Sequence, residues 1–160
     1  MRWPIPVVAG FVALTLSAAP VWAAASPAVR GKGLHAEAGF YARVVGDGPA
    51  RIQILDQLCR NPDQQRRCTP IKPALERAID RLVDRPITWV ATPRKHGGSF
   101  WVLAPVRFGA DRATVRWAWR DLRPFGCFGG GTLTYGRDGG TWKLTTGIEF
   151  EGCPANPGAA

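Results

Sequence analysis

Four cysteines, a spaced set of arginines and a group of aromatic residues are the side chains in this sequence with chemistry to offer. Cys59, Cys68, Cys127 and Cys153 form an even set, and even sets in exported chains favour disulfides. Four cysteines allow three connectivities. Cys59–Cys68 and Cys127–Cys153 are the favoured pairs, because each closes a polar, Pro- or Gly-rich stretch. Such a closure is worth on the order of 3 kcal/mol. The competing reading is a metal site, and it is poor. There is no CxxC spacing, and the only two histidines, His35 and His96, lie near neither pair in sequence. The expectation is therefore no metal and no cofactor.

Arg112, Arg116 and Arg120 recur every four residues, which on a strand puts them on one face about 13 Å apart per step. One reading is an anion-binding face for an envelope polymer, a phosphate group or an acidic partner. The other is a solvent-facing strand whose arginines lie over neighbouring aromatics and carboxylates. The chain as a whole carries +9, from 17 Arg and 4 Lys against 12 acidic residues. That arginine excess also fits a GC-rich coding sequence. Nucleic acid is not expected as a partner, because Trp117 and Trp119 point away from the arginines instead of interleaving with them.

Trp89, Trp117 and Trp119, with Tyr41 and Tyr135, are candidates to line a ligand pocket. The same large residues also serve to fill the core of a small domain. No catalytic set stands out. A Ser/His/Asp arrangement would need His35 or His96; Ser99 follows His96 by three residues, but triads assemble in space. Glu149 and Glu151 would share a face of a strand, and their nearness to Cys153 marks a solvated edge. There is no P-loop, and Gly129, Gly130 and Gly131 read as a flexible turn, not a phosphate cradle.

The elements that must position these residues follow from periodicity. Residues 1–25 read as a secretory signal peptide: a basic start at Arg2, an apolar run over 5–16 and small residues before cleavage at Ala23 or Ala25. Its removal leaves +8 and five tryptophans, and no span in the mature chain. Residues 26–33 read as a flexible start. Leu34, Ala38, Tyr41 and Val45 recur at helical spacing. Asp47 and Pro49 suit the start of a second helix, with Ile54, Leu55 and Leu58 on one face. A polar loop follows, and a third helix is predicted over 71–84 on Ile71, Leu75, Ala78, Ile79 and Leu82. After Pro86 the period becomes 2. Strands are predicted over 87–91, 99–108, 112–120, 132–136 and 141–145, the last two joined by a turn at Arg137, Asp138, Gly139 and Gly140. Residues 121–131 read as a loop, residues 148–153 as a piece along the sheet edge and 154–160 as a loose tail. With 46% apolar and 21% charged residues, the composition excludes wholesale disorder. The expected architecture is a single α+β domain over 34–153, with two to three N-terminal helices packed on a curved antiparallel sheet of about five strands.

The stretch AEAGFYARVVGDGPARIQILDQL, with Phe40, Tyr41, Gly46 and Asp47, resembles the opening of nuclear transport factor two-like proteins, also called the cystatin-like or ketosteroid-isomerase-like cone. Ala113, Val115, Gly140, Trp142 and Lys143 stand where that family has its closing hairpins. The resemblance covers roughly residues 34–147 and implies helices packed on a curved sheet with a pocket between them. The carboxylate bases of the family's enzymes have no counterpart here. Together these readings point to an exported periplasmic or extracellular non-enzymatic domain. It would bind a small ligand, an envelope polymer or a protein. The alternatives are a periplasmic inhibitor or immunity protein that blocks a wall-degrading enzyme, by a loop near 93–98 or 120–131, and a small enzyme using the cone pocket.

Overall fold

The change from helical to extended backbone comes one element earlier than the spacing predicts. In the computed structural model, residues 29–30, 33–46, 52–93, 98–123 and 126–153 are described. The signal peptide, Asp47, Pro49, His96 and the tail 154–160 lie outside them. The strands β1 (Val29–Arg30), β2 (Ile52–Asn61), β3 (Arg66–Pro70), β4 (Ile87–Val90), β5 (Ser99–Leu103), β6 (Arg107–Phe108), β7 (Arg112–Asp121), β8 (Phe128–Asp138) and β9 (Thr141–Gly152) are joined by two helices, α1 (Leu34–Gly46) and α2 (Pro73–Asp80). The strands form one sheet in the order β1-β9-β8-β7-β5-β2-β3, with β4 beside β2 and β6 beside β7. β2 runs parallel to β4 and β5, and the remaining pairs are antiparallel. The expected fold is thus corrected on three counts: only one of the two helices is N-terminal, the sheet has nine strands among the described residues instead of about five, and it is mixed instead of antiparallel.

The predicted second helix is β2. Ile54, Leu55 and Leu58 match a helical face, but they also match a strand buried on both sides, and periodicity cannot separate the two. Ile52, Ile54 and Leu58 join the large core cluster beneath α1. Leu55 and Cys59 turn to a smaller cluster with Val90, Phe100 and Val102 on the other face. Because a buried cluster covers each face over these residues, the polar alternation that identifies a strand is missing.

The helix predicted over 71–84 stops at Asp80. Pro73 opens it, as its fixed φ and missing N–H allow. Past Asp80 the chain tightens, with the Leu82 amide donating to the Ile79 carbonyl at 2.9 Å. That swings Leu82 out to 46% exposure and brings Val83 into the core instead.

The predicted strand 99–108 is broken after Leu103. Pro105 cannot donate to a ladder, and Tyr41 on α1 fills the gap. Its hydroxyl donates to the Ala104 carbonyl at 2.8 Å and accepts the Val106 amide at 3.2 Å. Helix and sheet are therefore tied by one phenol. Tyr41→Phe leaves both backbone groups without that partner, and a loss of about 1–3 kcal/mol is expected in urea unfolding followed by circular dichroism.

β7 alternates as predicted: Ala113, Val115 and Trp117 are buried, whereas Arg112 and Arg120 are exposed. The turn between β8 and β9 is also where the sequence places it, with Gly139 and Gly140 at φ of +54° and +86°. Both strands outrun their predicted lengths. β8 absorbs Phe128, Gly129, Gly130 and Gly131 from the predicted loop, and β9 continues to Gly152. Val29, inside the predicted flexible start, is buried and pairs with Trp142. Phe40 centres the aromatic core, 4.4 Å from Tyr135 and 5.8 Å from Trp142 between ring centres. Both expected disulfides are present. Cys59 and Cys68 face each other across β2 and β3, and Cys127–Cys153 closes the open end of the β8–β9 pair.

Candidate functional site

Residues directly opposite one another on neighbouring strands share a face, so the register of β5, β7, β8 and β9 decides what meets what. One rung runs Trp101, Trp119, Gly129, Glu151 and the next runs Leu103, Trp117, Gly131, Glu149. Each rung passes from a large apolar residue through an indole and a glycine to a carboxylate.

The glycines are there for the indoles. A Cβ on Gly131 would stand 2.7 Å from Cη2 of Trp117, and one on Gly129 would stand 2.6 Å from Nε1 of Trp119. Both tryptophans therefore lean from β7 over the bare backbone of β8. Gly129 and Gly131 are strand positions that a side chain would block, and not the flexible turn that the sequence suggests.

Beside these rungs lies a cavity of about 610 Å³, within the size range of small-ligand sites. Trp101, Trp117, Trp119, Leu133 and Leu144 form its apolar wall, Val44 and Arg43 at the end of α1 close one side, and Glu149 and Glu151 stand on the other. Asp121 and Arg123 also line it and are bound to each other, with Arg123 Nε donating to Asp121 Oδ2 at 2.8 Å. Those hydrogen bonds from Arg123 hold the Asp121 carboxyl below the usual carboxylate range. Glu149 and Glu151 are exposed and have no ion-pair partner among the described residues. Trp101 is only 7% exposed, and its buried indole N–H finds no acceptor among them. Cys127, Glu151 and Cys153 also lie close together. The two sulfurs are bonded to each other, which leaves no thiolate to ligate a metal.

Of the five aromatic residues predicted to line a pocket, the structure brings Trp117 and Trp119 together in this cleft. Tyr41 is buried in the core with its hydroxyl committed to backbone, and burial with the nearby Glu37 charge drives its phenol far above the ordinary range. Burial likewise pushes the Glu37 carboxyl up. Tyr135 packs on Phe40 beneath α1. Trp89 lies on β4, its indole N–H donating to Asp80 of α2 at 3.0 Å. Sequence reasoning misses Trp101, because the run of 99–108 is apolar on both faces and only the register with β7 sets it opposite Trp119.

Arg112, Arg116 and Arg120 lie on the opposite face from Trp117 and Trp119. Arg112 and Arg120 are exposed. Arg116 reaches to 3.6 Å from Asp63, both partly solvated, a pairing worth little on its own. Arg116 also lines a second cavity of about 370 Å³ with Arg60 and Arg107. The sequence does not single out those two arginines, because neither falls on the β7 repeat. Ser99 lines the tryptophan cleft, whereas His35 is exposed on the first turn of α1. Of the two loops considered as inhibitory plugs, 120–131 shrinks to the short connection between Asp121 and Phe128, and 93–98 lies mostly outside the described residues. No helix among the described residues is long and apolar enough to cross a membrane.

No known family, curated protein or solved structure matches this chain. The tryptophan cleft offers aromatic surface and two exposed carboxylates without an ion-pair partner among the described residues.

Proposed function

We propose that the protein is an exported, non-enzymatic domain that binds a small ligand in the tryptophan cleft. The observation that carries this reading is the meeting of Trp101, Trp117 and Trp119 with Glu149 and Glu151 around one cavity of about 610 Å³. Core filling accounts for Trp117, which is 5% exposed. It does not account for half-buried Trp119 beside the exposed Glu149 and Glu151. The signal-peptide reading of residues 1–25 supports export, and the two disulfides suit an oxidising compartment.

Native mass spectrometry of the protein purified from its own compartment tests this. A non-covalent small-molecule adduct is expected on the wild-type chain and is expected to be lost in Trp119→Ala. An adduct retained in full by Trp119→Ala would overturn the assignment of the cleft. So would an adduct-free protein whose tryptophan fluorescence responds to nothing in a broad metabolite panel.

A further inference from the structure

We propose a second binding site on the outer face of the sheet, where the cavity of about 370 Å³ lined by Arg60, Arg107 and Arg116 takes a ligand by a doubly charged phosphoryl group. This site is separate from the tryptophan cleft, and neither depends on the other.

Three strands bring the arginines to one place. β5 ends at Leu103, which lies opposite Leu58 of β2 and opposite Trp117 of β7. The chain then passes through Ala104 and Pro105, which line the cavity. Arg60 stands two residues beyond Leu58, at the β2 side of this corner. At the β7 side are Arg116, whose carbonyl accepts the Ala104 amide at 2.9 Å, and Thr114, which pairs with Arg107 of β6. The corner is fixed by the Tyr41 hydroxyl, which holds both the Ala104 carbonyl and the Val106 amide. Next to Arg60, Cys59 is bonded to Cys68 of β3. The backbone that carries the three arginines is therefore braced, which lowers the ordering cost of binding.

The lining selects the sign of the ligand. Its titratable groups are all guanidiniums, and no carboxylate among the described residues lines it. Asp63, which does not line the cavity, approaches Arg116 to 3.6 Å with both partners partly solvated. Counted in full, it still leaves three positive charges against one negative. A concave surface of one sign concentrates counter-ions. Arg60 and Arg107 make no side-chain ion pair or hydrogen bond among the described residues, so both can turn onto a ligand. An excess of two positive charges matches a dianion. A phosphate monoester carries about −1.5 to −2 at pH 7 and presents three acceptor oxygens. Such a tetrahedral group can meet guanidiniums arriving from three strands, with the Thr114 hydroxyl as a further donor. A carboxylate offers two oxygens in one plane. A phosphodiester, as in a nucleic-acid backbone, brings one charge and two free oxygens. The volume falls within the range of small-ligand sites, which leaves room for the molecule that carries the phosphoryl group.

The test is calorimetric titration of the full mature chain, disulfides intact, with inorganic phosphate and with glycerol 3-phosphate. Saturable binding of at least one is expected, weakened about tenfold in Arg60→Ala and in Arg107→Ala. Both side chains are exposed, and the variants' melting curves are compared with wild type before titration. Arg112→Ala removes an exposed arginine of β7 that does not line the cavity, and Trp119→Ala alters the other site. Both are expected to bind as wild type does. Weakening in either that equals the effect of Arg60→Ala would overturn the site, because charge in general or the tryptophan cleft would then hold the phosphate. Succinate bound as tightly as glycerol 3-phosphate would overturn the phosphoryl assignment. Phosphatidylcholine vesicles with and without phosphatidate distinguish a lipid-borne phosphoryl group from a free one. Capture that requires phosphatidate and is lost in Arg60→Ala/Arg107→Ala supports the proposal with a lipid as the source. If neither soluble probe saturates below about 10 mM, and the vesicles are either not captured or captured equally by that double variant, the proposal is overturned.

Discussion

Trp117→Ala is expected to cost about 3–5 kcal/mol of stability, the range for truncating a buried aromatic residue. Trp117 is 5% exposed, belongs to the cluster beneath α1 and lies over Gly131 in the next strand. Its loss removes packing against that cluster and against the backbone of Gly131. Gly131→Ala is expected to cost about 1–3 kcal/mol by the opposite route, since its Cβ would sit 2.7 Å from the Trp117 ring and 2.5 Å from the Ile148 carbonyl oxygen. The two costs should not add. In a Trp117→Ala background the ring is gone, whereas the Ile148 carbonyl remains, so Gly131→Ala should cost less there by roughly 0.5 kcal/mol or more. Urea unfolding of the four proteins measures this directly. An unchanged cost in the two backgrounds would mean that the indole does not depend on the bare backbone of Gly131.

The same pair of residues shows how far the sequence could be read. Trp117 is legible as an inward residue, because Ala113, Val115, Trp117 and Trp119 alternate in β7 with positions that carry Arg112, Arg116 and Arg120. Gly131 is not, because three consecutive glycines look like freedom of the backbone. Their actual role is to leave room, which needs the identity of the residue across the strand. Glu149 and Glu151 are legible as neighbours on one face, but their position opposite Gly131 and Gly129 is a matter of register. Register is set by the turn at Gly139 and Gly140 and by the irregularity between Thr134 and Tyr135. Without that irregularity, counting from the turn assigns the far end of β9 to the wrong partners. β2 escaped for a different reason: burial on both faces erases the period that tells a strand from a helix. The cysteine pairs were legible because each lies at the ends of a local segment, so topology had little chance to overrule the spacing.

The charge of the chain also takes on a different meaning in three dimensions. A protein of +9 would be expected to recruit anions, and its arginines do gather on the outer side, where Arg60, Arg107 and Arg116 line one shallow cavity. The helix-covered side is built otherwise. There Arg123 is bound to Asp121, and Glu149 and Glu151 stand next to the tryptophans without an ion-pair partner among the described residues. Net charge governs approach at long range, whereas the groups lining each cavity act only at contact.

Removing the Cys127–Cys153 bond by Cys127→Ala/Cys153→Ala is expected to lower stability by roughly 3.5 kcal/mol, from the chain entropy of a loop with a sequence separation of 26. The shorter Cys59–Cys68 closure, with a separation of 9, is worth roughly 2.6 kcal/mol by the same reasoning. The two bonds should also differ in how they meet a reductant. Cys153 is exposed and Cys127 half-buried, whereas Cys59 has no exposed surface and sits among Leu55, Val90, Phe100 and Val102. Under graded dithiothreitol, alkylation and peptide mapping should therefore find Cys127 and Cys153 modified first. Loss of that bond frees the far ends of β8 and β9, which carry Gly129 and Glu151. Tryptophan fluorescence should accordingly change in step with alkylation of Cys127, before global unfolding. If Cys59 and Cys68 react first, or if fluorescence holds steady until the whole chain melts, the disulfide does not brace the cleft.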